Sequence, residues 1–522
     1  VLQVRNTHVM RVAFAPAELG PPIEFAGMSV WPGGLVRVVD GSPYVSPYQP
    51  QLFPEAVTVA GAGGGSMTLL GTYGIVAVYK TIDGAGRVHR SAPSAPTFVT
   101  LTGAQQSVTG TVPMLRLDVR QLFSYTVTIE IYQTVANGTV YYKAAEYDNN
   151  AGFDTATITL TAADSTVRNN EVLYTTGGPR PNFAPPPFVA LVEYKARLVG
   201  IRSEDRKTCW YSKELKPGMA PGFHPSFALT FDAVDGDLTA LGVLDDKIVF
   251  FKRSSIYALS GDGPDDNGVG GFDNPQQVTN SQGTINPRSV VQTPAGLMFE
   301  GARGIWQLSR DGSLTFVGAP VQAYFTGGGR DTTAAVHLPD YAQVRFFTSS
   351  GRTLVWDYQQ QQWYTFTGQP AGAAIAIGST IYWAHPTTGV VSYEVVGSYG
   401  DNGVGYAQRI VPPWLAFAGL AGFQRARRLQ LVGENAGTHT VKVSTYLNYD
   451  ASAPAFPPKL LAGVNAWPEG EYPLDVRRCT SAKFAIEEHA ANTGAGFRLS
   501  AATLEASVLP GLRRLPSAAR GQ

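Results

Sequence analysis

A glycine-rich stretch of the chain carries acidic residues of the kind that could hold a metal ion. Its candidate ligands are Asp262, Asp265, Asp266, Asn267 and Asp273. Carboxylate and amide oxygens are the ligands that Ca2+ prefers. The stretch matches a calcium-binding loop only loosely, because the regular spacing of acids and the closing Glu are missing. Two interpretations stay open, a calcium site and a solvated or interface loop, and the missing Glu favours the second.

A second group of acids could serve the hydrolysis of a glycosidic bond. It comprises Asp232, Asp235, Asp237, Asp245 and Asp246. Such an enzyme needs two carboxyl groups about 5–9 Å apart across a cleft. Spacing along the chain does not determine that distance, and acids at turns are common in β proteins. The group by itself therefore does not predict catalysis.

The histidines show no pattern of metal ligands or of a base beside a nucleophile. They are His8, His89, His224, His337, His385, His439 and His489. No two of them stand at a metal-ligand spacing. The sequence also contains no nucleophile elbow, phosphate-binding loop or dinucleotide-binding glycine motif. We expect ordinary loop or surface histidines, and we predict no enzyme, no cofactor and no bound metal.

Five aromatic residues recur at similar places in a repeated hairpin. The hairpins begin at Arg197, Lys247, Gly296, Gln343 and Thr380, and their second strands carry Trp210, Tyr257, Trp306, Trp356 and Tyr393. A repeat of about 40–50 residues built only of strands and turns predicts the blades of a β-propeller. Such aromatics could stack on sugars, but in repeats they more often form the core between blades. We expect core positions for all five.

The composition is typical of an all-β protein. The chain has 522 residues with 57 glycines and 36 prolines, and only 15% of its residues are charged. Lys and Arg total 40, as do Asp and Glu, so we expect no basic surface that grips nucleic acid. The few charges indicate either a surface buried against partners or one rich in uncharged polar groups. No apolar run is long enough for a transmembrane helix.

The two cysteines, Cys209 and Cys479, stand too far apart in the sequence to define a metal site or a disulfide framework. We expect free, partly buried thiols, which suit assembly in a reducing cytoplasm. The chain begins at Val1 rather than at Met. It is therefore either a processed product or part of a longer one, and whether residues precede Val1 stays open.

Changes in pattern divide the chain into four parts. They are a first blade region (1–60), an inserted immunoglobulin- or fibronectin-like β-sandwich (61–175), the remaining blades (176–410) and a C-terminal β-sandwich with a basic tail (411–522). The turn at Pro32–Gly34 marks the first blade, and Asn137 with Gly138 closes a hairpin in the inserted sandwich. The Pro-rich stretch Asp164–Phe188 is stiff enough to position that sandwich. The predicted fold is an all-β propeller of six irregular blades with two added sandwiches.

Several phrases of the sequence resemble one family of viral proteins. They are PGGLVRVVDG (Pro32–Gly41), DGAGRVHRSAPSAP (Asp83–Pro96), NEVLYTTGGPRPNFAPPP (Asn170–Pro187), KARLVGIRSEDRKTCWYS (Lys195–Ser212) and PPWLAFAGLAGFQRARRLQLVGE (Pro412–Glu434). Together with the order of the parts, they resemble the tail nozzle (tail tubular protein B) family of short-tailed bacteriophages. The resemblance covers most of the chain. It depends on the general character of these segments and on the order of the parts rather than on one diagnostic motif. The chain is shorter than the larger members of that family, so some insertions are expected to be absent.

The resemblance implies a structural role in the virion tail, with assembly in the host cytoplasm. Six copies would form a ring below an adaptor ring that sits on the portal. The ring would continue the DNA channel, close its distal end before infection, and anchor tail fibres or spikes. DNA would pass through the lumen without specific binding, which suits a chain of zero formal net charge.

Loop tips are the places where gates and partner contacts are expected in such a protein. The candidates for an interface or channel gate are the loop Asp262–Asp273 and the residues Tyr399, Asp401 and Asn402. Two other functions stay open. One is a glycan-binding, receptor-recognition tail protein, which would expose its blade aromatics. The other is a propeller hydrolase, which would bring acids such as Asp232, Asp235 and Asp262 together.

Overall fold

The computed structural model describes most of the chain and shows it to be nearly all β. The described residues are 4–5, 8–9, 19–33, 36–39, 46–47, 52–55, 57–115, 126–149, 153–232, 234–395, 397–400, 403–419, 422–435, 440–462, 467–490 and 494–512. Among them, no helix is both long and apolar enough to cross a membrane. Predictions that concern Gly34, Asp401, Asn402, His439 and the tail 513–522 lie outside these ranges.

The chain divides into two compact units, Val1–Val391 and Ser392–Gln522. The first unit starts with a small antiparallel hairpin and then forms blade 1 of a propeller. The hairpin strands are β1 (Val4–Arg5) and β2 (His8–Val9), and the blade strands are β3 (Ile23–Phe25), β4 (Met28–Trp31), β5 (Arg37–Val39) and β6 (Ser46–Pro47). Blade 1 is an antiparallel meander, since its four strands neighbour one another in chain order.

A β-sandwich follows blade 1 and interrupts the propeller, as predicted. Its strands are β7 (Thr58–Ala62), β8 (Thr72–Ile82), β9 (Val88–Arg90), β10 (Thr97–Thr100), β11 (Ser107–Pro113), β12 (Val127–Thr134), β13 (Tyr141–Asp148) and β14 (Thr155–Leu160). Strands β7, β11 and β14 form one sheet, and the other five form the second. Asn137 takes a φ of +55° in the turn between β12 and β13, where the sequence predicted the hairpin. Alternate residues of the strands, such as Ile129 and Ile158, fill the space between the sheets.

Blades 2 to 6 follow the sandwich and the short helix α1 (Asp164–Val167). Blade 2 holds β15 (Phe188–Tyr194), β16 (Arg197–Arg202), β17 (Thr208–Ser212) and β18 (Phe223–Thr230). Blade 3 holds β19 (Ala240–Leu244), β20 (Lys247–Phe251), β21 (Ile256–Leu259) and β24 (Gln276–Thr279), and the hairpin β22 (Gly261–Pro264) and β23 (Gly270–Phe272) precedes β24.

The last three blades follow in the same way. Blade 4 holds β25 (Val291–Thr293), β26 (Gly296–Gly301), β27 (Gly304–Ser309) and β28 (Leu314–Phe316). Blade 5 holds β29 (Thr332–Leu338), β30 (Gln343–Thr348), β31 (Thr353–Asp357) and β32 (Gln362–Phe366). Blade 6 holds β33 (Ala373–Ile377), β34 (Thr380–Ala384) and β35 (Val391–Tyr393). Short 3-10 helices span Pro287–Ser289, Ala319–Tyr324 and Pro339–Tyr341. The five predicted hairpins are the second and third strands of blades 2 to 6.

Each of blades 2 to 5 packs its two faces against the blades before and after it. In β20, Ile248 and Phe250 join the core shared with blade 2, whereas Val249 and Phe251 join the core shared with blade 4. Successive residues of a strand point to opposite faces, so a strand covered on both faces is apolar at every position. This explains the continuous run of apolar residues in β20, and it identifies the repeat as a propeller.

The core prediction for the repeated aromatics is confirmed for four residues and wrong for the fifth. Trp210, Tyr257, Trp306 and Trp356 pack into the clusters between consecutive blades. Tyr393 is 56% exposed. It belongs to the last blade, and among the described residues no apolar cluster covers the second face of that sheet.

One arginine ahead of blade 4 binds the chain both ahead of blade 1 and ahead of blade 6. Arg288 lies directly before β25, the first strand of blade 4. Its Nε donates to the carbonyl oxygen of Leu19 (3.1 Å), ahead of blade 1, and its Nη1 donates to that of Gly372 (2.9 Å), ahead of blade 6. Burial lowers the pKa of the Arg288 guanidinium. This side chain therefore links three blades that are not consecutive in the chain.

The second unit, Ser392–Gln522, contains the C-terminal β-sandwich. Its strands are β36 (Arg409–Ile410), β37 (Gly422–Asn435), β38 (Thr440–Leu447), β39 (Lys459–Ala462), β40 (Trp467–Cys479), β41 (Ala482–Glu488) and β42 (Phe497–Leu512). One sheet has the order β36-β41-β38-β39 and the other β40-β37-β42. Leu431, Val441 and Phe484 lie in the core between them. Cys479 lies there too, and both Cys209 and Cys479 are free, as predicted, but fully rather than partly buried.

Candidate functional site

The acidic loop singled out in the sequence is a folded hairpin with its carboxylates directed to separate partners. Asp262 pairs with Lys195, and Asp266 pairs with Lys216. Asp265 shapes the turn, because its Oδ1 accepts from backbone amides two and four residues further on at 2.9 and 2.8 Å. No group of three or more acidic, His or Cys residues in the described part of the chain could hold a metal ion. The hairpin thus presents no shared set of calcium ligands.

The hairpin holds the segment through which the chain returns from the inserted sandwich. Arg180, in that segment, donates its backbone amide to the carbonyl oxygen of Asp266 (2.8 Å) and its Nε to that of Asn267 (3.2 Å). On the blade side, Phe272 packs edge-on against Tyr211, with ring centroids 4.9 Å apart. The hairpin therefore clamps the return segment onto blade 2, and its role as a channel gate or partner interface stays a prediction.

A buried lysine on blade 2 fixes the same segment. Lys213 donates from Nζ to the carbonyl oxygen of Arg180 and to Oδ1 of Asn182 (2.8 Å), and it lies over the ring of Tyr174. Burial lowers the pKa of Lys213 to about 8. The sequence predicted a stiff Pro-rich linker here. The structure instead shows a segment that starts with α1 and is fastened by specific hydrogen bonds, because its backbone groups meet donors on blade 2.

We expect the Asp265→Ala variant to loosen the return segment of the sandwich. Without the carboxylate the turn loses two backbone hydrogen bonds, at a cost of about 1–2 kcal/mol. Hydrogen exchange of the Arg180 amide should then accelerate roughly tenfold, since that amide binds the turn. The matched control is Asp273→Ala. In the described part of the chain, the side chain of Asp273 accepts one hydrogen bond, from the hydroxyl of Ser260 at 2.8 Å, and it does not bind the turn. Equal exchange at Arg180 in both variants would contradict the clamp.

The structure divides the acids that the sequence grouped near blade 3 between the two ends of β19: Asp232, Asp235 and Asp237 lie around Lys252, and Asp245 lies at the other end. Asp232 precedes β19, and its carbonyl oxygen accepts from buried Lys252 at 2.6 Å. Asp245 lies in the turn after β19 and pairs with Arg310. The five residues of β19 span about 17 Å, which exceeds the separation of two carboxylates in a glycosidase. Asp262 follows β21 at the same end as Asp245, so it is not brought to Asp232 either.

A small pocket in the second unit contains Tyr399, another of the predicted residues. Its volume is about 200 Å3, and its lining is Tyr399, Tyr406, Gln408, Glu488, Gly494, Ala495, Gly496, Phe497 and Arg498. The carboxylate of Glu488 forms the floor: the residue is 6% exposed, and its Oε2 accepts from the backbone N–H of Gln408 at 3.0 Å. Phe497 is buried beneath it in the sandwich core. The rings of Tyr399 and Tyr406 are 41% and 49% exposed.

The sequence pointed to Tyr399 as an interface or channel-gate candidate, a role that stays a prediction, and it did not point to the other polar residues of this pocket. Glu488 ends β41 on the same face as the buried Phe484 and Ile486, where a carboxylate is unexpected, and that is the one signal the sequence contained. Gly496 stands before β42, and nothing in the sequence indicates that it lies beside Glu488. The pocket is created by strands that pair across long stretches of chain.

Comparisons with known proteins give no family for the chain. No family model matches it, and no curated protein matches it. Among solved structures, it is similar to Saccharomyces cerevisiae Sqt1 (10% identity, 66% of this chain and 87% of that chain, TM-score 0.27). It is also similar to BamB from Moraxella catarrhalis (12% identity, 72% and 96%, TM-score 0.26) and to PorZ of Porphyromonas gingivalis (8% identity, 96% and 76%, TM-score 0.23). At these identities and TM-scores the similarities carry no conclusion about function.

Proposed function

We propose that this chain is a structural subunit of the tail nozzle of a short-tailed bacteriophage. Copies of the chain, six in number, form a ring below the portal adaptor, and the ring continues the DNA channel and closes it until infection. The ring also gives tail fibres or spikes a place to attach. The protein is a virion component without catalytic activity.

The order of the parts is the observation that carries this proposal. A sandwich between blade 1 and blade 2, five further blades and a second sandwich form one continuous chain. The same order, together with the phrases at Asn170–Pro187 and Lys195–Ser212, underlies the resemblance to the nozzle family. A fold shared with many proteins does not establish a function, so the proposal depends on the combination.

The charge of the chain supports a channel that DNA passes through. Its 40 basic and 40 acidic residues balance. A basic lumen would neutralise many phosphates and hold DNA by the release of counterions. A balanced surface offers fewer such contacts, so DNA can slide. The free, buried thiols of Cys209 and Cys479 are compatible with assembly in a reducing host cytoplasm.

The first test is the native mass of the full chain by light scattering, combined with negative-stain images. We expect particles of about six times the mass of one chain, with a central hole. A chain that stays monomeric at the highest attainable concentration would contradict a self-assembling ring. Particles of the right mass without a hole would contradict the channel.

A further inference from the structure

The pocket beside Tyr399 has a floor of hydrogen-bond acceptors. A Cβ atom on Gly496 would lie 3.0 Å from Oε1 of Glu488 and 3.2 Å from Oε1 of Gln408. Two acceptor oxygens, one at the end of β41 and one just before β36, therefore converge on one glycine. A methyl group at position 496 would crowd both oxygens and take up part of the space in front of them.

The walls of the pocket are aromatic, and its charges balance. Tyr399 and Tyr406 combine an apolar ring with a hydroxyl group that can donate or accept. The lining has one carboxylate, on Glu488, and one guanidinium, on Arg498. Arg498 also pairs with Glu434 at 3.1 Å, outside the lining. A cationic ligand would be repelled by the guanidinium of Arg498, and an anionic ligand by the carboxylate of Glu488. A neutral polar ligand would meet neither repulsion.

We propose that this pocket binds one sugar ring of a glycan. A sugar ring offers hydroxyl hydrogens to the acceptors of Glu488 and Gln408, and its C–H face can pack on a tyrosine ring. A site for a small ligand is generally lined by apolar and aromatic side chains, with a few polar groups that point towards the ligand. The volume of about 200 Å3 accommodates a single ring rather than an extended chain, so the glycan enters by one terminal or branching unit.

The inference is independent of the nozzle proposal, since a single chain carries the whole pocket. A nozzle that binds glycan could hold a surface polysaccharide of the host near the channel. A protein with some other role would bind it equally well. The outcome of a ring-mass measurement therefore neither supports nor removes this site.

The test is saturation-transfer-difference NMR on the full chain with methyl glycosides of glucose, galactose, mannose and N-acetylglucosamine. We expect a transfer signal for at least one of them, with a dissociation constant on the order of 1 mM, as for a site of few contacts. Butylammonium chloride is the matched cationic probe. A transfer signal from butylammonium and none from the glycosides would overturn the proposal. The absence of a transfer signal from every probe would overturn it as well.

Two variants assign the signal to the pocket. Gly496→Ala places a methyl group against Glu488 and Gln408, and Tyr406→Ala removes one wall, so each should weaken glycoside binding at least tenfold. Glu488→Gln keeps the shape of the pocket and the hydrogen bond from the backbone N–H of Gln408. It therefore changes the pocket without the risk of a folding defect that the other two variants carry. The control is Phe456→Ala, because Phe456 is 38% exposed in the same unit and lies outside the pocket. If Gly496→Ala and Tyr406→Ala bind the glycoside as well as the parent protein does, the sugar binds elsewhere and the proposal is wrong.

Discussion

Replacing Glu130 with Ala is expected to lower the free energy of unfolding of the inserted sandwich by about 3–5 kcal/mol. Glu130 is fully buried on β12. It accepts hydrogen bonds from Arg90 (2.7 Å), Lys143 (2.9 Å) and the hydroxyl of Tyr132 (2.8 Å). Removing one partner from a buried ionic group leaves the others uncompensated, and that loss is larger than the net contribution of the intact group.

Hydrogen exchange over β12 is the suitable measurement, because a chain with several domains does not unfold in one step. We expect exchange of the β12 amides to accelerate a hundredfold or more. Glu171→Ala is the control, since Glu171 binds the same Arg90 at 2.9 Å but is 51% exposed in its side chain. Such an exposed pair contributes about 0–1 kcal/mol. Similar effects of the two substitutions would show that Glu130 has no special role.

The same carboxylate should make the sandwich sensitive to acid. Burial alone would raise the pKa of Glu130, but the hydrogen bonds and charges of Arg90 and Lys143 outweigh it and hold that pKa at about 2. The folded state thus binds the proton more weakly than the unfolded state, whose pKa is near 4.5. The stabilisation is complete above pH 4.5, and roughly 3 kcal/mol is lost as the pH falls towards 2. Glu130→Ala should lose less of its stability over that range than the parent protein.

The second large effect is expected from Arg288→Ala, which should loosen the segments ahead of blade 1 and of blade 6 that this side chain binds. The substitution removes two hydrogen bonds from a charged donor and leaves the carbonyl oxygens of Leu19 and Gly372 without it. Such bonds contribute about 1.5–3 kcal/mol each. The cost of burying the guanidinium, seen in its lowered pKa, offsets part of this. We expect a net loss of about 2–4 kcal/mol.

Exchange measurements on separate blades would show where that loss falls. Amides of β3 and β33 should exchange faster in Arg288→Ala, although both strands are remote from residue 288 in sequence. Arg288→Lys should give an intermediate result, because an ammonium group cannot reproduce the fork of the guanidinium. Arg303→Ala is the control, an exposed arginine in the β26–β27 turn of the same blade. Faster exchange confined to 287–293 would mean that Arg288 acts only locally.

The sequence by itself determined the elements and their order. The five hairpins, the turn at Asn137 and the two sandwiches follow from alternation and turn residues, which act over a few neighbours. Four repeated aromatics were placed correctly because each has a blade on both sides. Tyr393 was not, since its exposure depends on the absence of a covering blade among the described residues rather than on its own hairpin.

Only the tertiary structure decided which polar residues act together. Glu130 stands in VTIEIYQT like any solvent-facing strand residue, and it is buried because Leu173 and the return segment cover that face of the sheet. Arg288 reaches carbonyl oxygens 269 and 84 residues away, and Glu488 meets Gln408 across 80. Local patterns report which backbone conformation each segment prefers. They carry no information on which distant segments then meet, and those meetings create the clamp, the contacts of Arg288 and the pocket.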